Sequence, residues 1–157
     1  MTIANTPPYF GRTIFAEDVR REATGQLTIV GALAGGIYID ELPGALNRLA
    51  MLIEFQQRED QDVLPVTIRV YAPGNPEPIF EHLHSAESIS EARESSAVLD
   101  FVTPFPGPAI RRITQVAMFV GLEINEPGLI QVRGFRGDEV LAMGSMLVRA
   151  QPQPTVG

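Results

Sequence analysis

Apolar and polar residues alternate with a period of two along most of this chain, the spacing expected of half-buried strands. Leu27, Ile29 and Leu33 share one face of a run that opens after Gly25, and Gly35-Gly36 is expected to turn tightly into Ile37-Tyr38-Ile39. Leu49, Met51, Ile53 and Phe55 alternate with Ala50, Leu52, Glu54 and Gln56. Val66, Ile68 and Val70 form the next set. Ile79 and Leu83 face opposite to Phe80, His82 and His84, and Ala97, Leu99 and Phe101 make a short run. The longest pattern places Val116, Met118, Val120, Leu122 and Ile124 on one side, against Gln115, Ala117, Phe119 and Glu123. Ile130, Val132 and the stretch from Val140 to Val148 complete the series.

Turn chemistry separates these runs. Pro73-Gly74-Asn75-Pro76, Asn125-Glu126-Pro127-Gly128 and Arg136-Gly137-Asp138-Glu139 are each expected to close a hairpin, the last with a two-residue loop. Helix is scarce. Ser85 to Glu94 is the best stretch, with Ser88 and Glu91 at capping-box spacing, but it has too few apolar residues to bury a face. A surface helical turn or a loop is expected there, and a single turn at Leu42 to Leu46. About eight to ten short strands with turns between them predict an all-β antiparallel β-sandwich with one short helical insertion. Residues 9–150 form this single domain. Residues 1–8, ending in Pro7-Pro8, and residues 151–157 read as an extended arm and tail.

Composition narrows function by subtraction. The 157 residues include no Cys and no Trp, and all twelve cations are Arg because Lys is absent. Disulfide scaffolds, thiolate zinc sites, cysteine nucleophiles, Schiff-base lysines and Walker-type phosphate loops are excluded. The net charge of −7 disfavours nucleic acid held by a basic field. No apolar run approaches the ~20 residues of a membrane span, and no signal peptide is visible. The expectation is therefore no membrane and no nucleic-acid partner, with the cytoplasm as the place of synthesis and the virion as the destination if the gene belongs to a phage.

The opening carries a recognisable arrangement: Phe15-Ala16-Glu17-Asp18-Val19-Arg20-Arg21-Glu22, then Gly25-Gln26-Leu27-Thr28-Ile29-Val30-Gly31, and later Leu42-Pro43. This resembles a widespread bacterial and phage family of small proteins of unknown function, whose opening has the form F-x-[DE]-D-[VI]-R-x-E followed by G-x-L-[TS]-[LI]-[VI]-G. Glu126-Pro127-Gly128 also looks like that family. Gln26 departs from it where Lys is usual. The resemblance implies a β-sandwich and no catalytic residues. Read physically, the mixed charges from Glu17 to Glu22 are expected to tie the chain to a sheet edge by bidentate arginine–carboxylate pairing.

Several groups are candidates for chemistry. His82 and His84 would lie on one side of a strand, as metal ligands must, with Glu87 beyond; this is similar to the cupin His-x-His…Glu arrangement but one residue shorter, and no third His exists. Glu59, Asp60 and Asp62 form an acidic loop of the sort that binds calcium when other loops converge on it. Arg136-Gly137-Asp138 spells the adhesion tripeptide, and is also good hairpin chemistry. Phe105, between Pro104 and Pro106, is an apolar anchor candidate for a protein partner, with Arg111 and Arg112 as charged rim and Pro7 and Pro8 as arm contacts. No nucleophile elbow, cofactor fingerprint or complete catalytic constellation is present. The sequence thus points to a non-enzymatic structural or protein-interaction module without cofactor, partnered by another protein or by its own copies rather than by a small molecule, with a phage-particle component as one concrete form. The alternative is a ligand-binding or metal-binding protein, or an enzyme, built on His82, His84 and the Glu59–Asp62 loop.

Overall fold

The computed structural model describes residues 7–96 and 110–152. The run Ala97, Leu99, Phe101, the anchor candidate Phe105 and most of both terminal arms lie outside the described residues. Nine strands and one helix follow in order: β1 (Tyr9–Arg21), β2 (Leu27–Ala32), β3 (Gly36–Ile39), β4 (Gly44–Arg58), β5 (Val66–Tyr71), β6 (Phe80–His84), α1 (Ala86–Ser96), β7 (Ile110–Ile124), β8 (Gly128–Arg136) and β9 (Glu139–Ala150). They build two packed sheets, β2-β1-β4-β7 and β3-β9-β8-β5-β6, so the all-β sandwich is the fold.

Every pairing is antiparallel except one. β3 runs parallel to β9, with Ile37 opposite Val148. The expected hairpin at Gly35-Gly36 does not form, because β2 pairs back onto β1 while β3 joins the other sheet. The Asn125–Gly128 turn likewise carries the chain from β7 in one sheet to β8 in the other. The other two turns close hairpins as their residues demand: β5 with β6, and β8 with β9 through Gly137-Asp138.

The space between the sheets is filled by hydrocarbon. Leu49, Met51, Ile53 and Phe55 of β4 meet Val66, Ile68 and Val70 of β5, Ile130 and Val132 of β8, and Met143, Met146 and Val148 of β9. Met143 occupies a slot that two glycines leave open. A Cβ built on Gly11 of β1 would stand 2.5 Å from its Cε, and one on Gly134 of β8 would stand 2.8 Å from its Sδ. The helix takes part as well. α1 is capped by Ser85, whose Oγ accepts the Ser88 N–H at 3.2 Å, rather than by Ser88 as the spacing suggested. Its single large apolar residue, Ile89, is fully buried in the core. The helix is short of apolar residues but is not confined to the surface.

The facing of β7 corrects the alternation pattern. Phe119 packs toward the core and Val120 away from it, but Leu122 and Ile124 return to the core. Strict alternation would put Val120, Leu122 and Ile124 on one side. The change occurs at Gly121, whose φ of 64° lies in the left-handed region. β4 shows the matching change, with Leu46 and Leu49 both buried and Asn47 and Arg48 exposed between them. Nothing lies within 4 Å of a Cβ built at Gly121, so a substitution there meets backbone cost alone. Gly121→Ala is expected to destabilise by about 1–2 kcal/mol in urea unfolding. Gly121→Asn should cost less and Gly121→Val more, because Asn tolerates the left-handed region and a β-branched side chain does not.

Candidate functional site

The outer face of the four-stranded sheet is built by register. Paired residues place Phe10, Gln56 and Arg112 in one row across β1, β4 and β7; Arg12, Glu54 and Thr114 in the next; then Ile14, Leu52 and Val116; then Ala16, Ala50 and Met118. Arg48 faces Val120 one step further. The two middle rows are apolar, and all of their residues except Met118 join Val19, Leu27 and Ile29 in a second hydrophobic cluster, separate from the core between the sheets. Every described member of this cluster comes from the same sheet. Ala50 and Ala16 are buried because they are small and sit between longer neighbours, whereas Met118 is 43% exposed and Val120 79%.

An arginine–carboxylate cluster stands at each end of this strip. Glu54 is buried between Arg12, which donates from Nε, and Arg112, whose Nε lies 4.0 Å away. At the other end the Asp18 carboxylate accepts from Arg20 Nε at 2.6 Å and from Arg48 Nη2 at 2.7 Å. The opening charges thus do tie strands together, but through one oxygen to each of two arginines rather than by a bidentate pair. The Arg20 hydrogen bond above all, then the charges of Arg48 and Arg20, outweigh burial and hold the Asp18 carboxyl below its ordinary value. Arg48 links β4 to the cluster and also reaches Met118 Sδ at 3.4 Å.

His82 and His84 lie on the edge strand β6, opposite Ile68 and Val66 on one face of the strand, but only His84 is buried and His82 is exposed. Their rings meet edge-on with centroids 4.6 Å apart. His84 is buried and its Nε2 has no partner. Burial first, and then the charge on His82, lower its pKa from the ordinary 6.5. The acidic loop is tied up locally. The Asp60 carboxylate pairs with Arg58, including Arg58 Nε at 3.0 Å, which chiefly holds the carboxyl below its ordinary value. The Asp62 carbonyl accepts from Gln57 Nε2 at 3.2 Å and from Arg136 Nη2 at 2.6 Å. Among the described residues, no three of His, Asp and Glu gather closely enough to hold a metal ion.

The remaining candidates divide between the two sides of the sheet. Arg112 is half exposed on the outer face. Arg111, its neighbour, is buried, with Nε and Nη1 unpaired. Pro7 and Pro8 are exposed, and the Pro8 carbonyl accepts the Arg58 N–H at 2.9 Å, so the arm is fastened at its inner end. The strip itself was missed in the sequence. Its signal was present in β4, where Ala50 and Leu52 fall between the core residues and mark a strand buried on both faces.

No family model matches the chain, and no curated protein or solved structure matches it either.

Two outcomes test this geometry. Because folding lowers the pKa of His84, the unfolded chain binds more protons below about pH 6.5, and stability falls as the pH drops through that window. The loss levels off once the pH is below the folded-state value. Urea unfolding across this range should show the decline, and His84→Leu should flatten it. Asp18→Asn should lower the melting temperature more than Arg20→Ala or Arg48→Ala alone, since each arginine deletion leaves the carboxylate one partner.

Proposed function

We propose that the protein is a non-enzymatic structural or protein-interaction module that works as a component of a larger assembly. The observation that carries this reading is Val120, 79% exposed in the middle of a 15-residue strand, beside the half-exposed Met118 and an apolar cluster with no second described layer. Solvent-facing apolar residues in register on a sheet are the usual form of a protein contact surface. Water is the poorer neighbour for all of them.

The partner is a protein, either a second copy or a different chain. A phage particle is the concrete setting suggested by the resemblance of the opening. In that setting the chain is made in the cytoplasm and carried in the virion. No helix among the described residues is long and apolar enough to cross a membrane. The rival reading, chemistry built on His82, His84 and the Glu59–Asp62 loop, draws little support from a pair in which His84 is buried and His82 exposed, and from an Asp60 carboxylate already paired with Arg58.

Sedimentation velocity with the intact chain, from about 1 to about 500 µM, tests the proposal. Species at multiples of 17.1 kDa that grow with concentration are expected. A single 17.1 kDa species throughout would count decisively against self-assembly.

A further inference from the structure

We infer that the outer face of the β2-β1-β4-β7 sheet docks a second copy of this chain, head to tail. The inference rests on the assembly reading above and specifies its contact face and its symmetry.

The argument is one of shape and charge. The strip has the anatomy of a contact surface: an apolar centre of Ile14, Leu52, Val116, Met118 and Val120, with arginines at both ends. In each end cluster two guanidinium groups share one buried carboxylate: Arg12 and Arg112 on Glu54, Arg20 and Arg48 on Asp18. Four cations stand against these two anions and Glu22, whose charge also acts on Arg20, which leaves one positive charge in excess. The four arginine side chains are 49–63% exposed, while the carboxylates are 8–10% exposed, so solvent and partners meet the cations. The whole chain carries −7, which makes the rest of its surface more acidic still. A positive apolar face on an acidic molecule is complementary to another part of that same molecule.

Charge also selects the symmetry. A two-fold contact of this face with itself would set arginine clusters against arginine clusters, and like charges across an interface cost several kcal/mol. The face therefore meets a different, acidic surface of the next copy. Such a contact is heterologous, and it closes into a ring or continues as a filament. On the outer side of the other sheet, Arg69 lies over the Phe135 ring and pairs with Glu81, and Arg133 lies over Tyr71.

The test compares the full-length wild type with Val120→Asp, Arg112→Glu and, on the other sheet, Leu83→Asp. All three positions are half or more exposed, and circular dichroism with thermal melting verifies that each variant folds. Sedimentation velocity at about 50 mM and about 500 mM salt is the readout. Val120→Asp and Arg112→Glu should each weaken association at least about tenfold, high salt should weaken it in the wild type, and Leu83→Asp should leave it unchanged. If folded Val120→Asp and Arg112→Glu assemble like the wild type, or if Leu83→Asp alone abolishes assembly, the face is wrong while the assembly reading survives. A closed dimer strengthened by salt would overturn the head-to-tail contact. A wild type that stays monomeric removes this contact and self-assembly, and leaves assembly with a different chain as the reading that stands.

Discussion

Burial of β4 on both faces is the constraint around which the rest is arranged. From Leu49 to Gln57 every residue of this strand is buried. Its odd positions from Leu49 to Phe55 anchor the core between the sheets, and Ala50 and Leu52 belong to the outer cluster. A strand with two buried faces needs neighbours on both sides that supply side chains above and below. β1 and β7 do so over eight and fourteen paired positions. The outer neighbours are chosen by size and charge: small Ala16 beside small Ala50, and arginines over Glu54 where a carboxylate would otherwise be buried alone. The clusters that shield these carboxylates are also what gives the face its positive excess. Stability and recognition draw on the same side chains.

Much of this architecture was legible in the letters. Period-two alternation located eight of the nine described strands but not β1, and Gly137-Asp138 identified a true hairpin because its backbone demands are local. The assignment of strands to sheets was not legible. Asn125–Gly128 reverses the chain as its residues require, but nothing in a turn says whether the next strand joins the same sheet or the facing one. The side change at Gly121 is invisible for a similar reason. It depends on a left-handed backbone and on a matching irregularity at Asn47 and Arg48, some seventy positions earlier.

The candidate site divides along the same line. The mixed charges from Glu17 to Glu22 stood out as a run expected to pair at a sheet edge; Asp18 and Arg20 within it do pair, but on β1, an interior strand of its sheet. Arg48 was missed because its link to Asp18 is a contact between distant strands. His82 and His84 were placed correctly on one side of a strand, but the letters did not say that one would be buried and the other exposed. Arg111 and Arg112 read alike in sequence, and one residue of alternation puts them on opposite sides of the sheet, one interior and one exposed.

The parallel pairing of β3 has a consequence for the order of events during synthesis. β3 precedes β9 by about a hundred residues, yet among the described residues its one sheet partner is the end of that strand, residues 147–150. Until that last strand has cleared the ribosome, Gly36–Ile39 has no ladder to join, and the five-stranded sheet lacks its outermost member. This sheet is therefore completed from the far end, with the third strand locked in by the ninth.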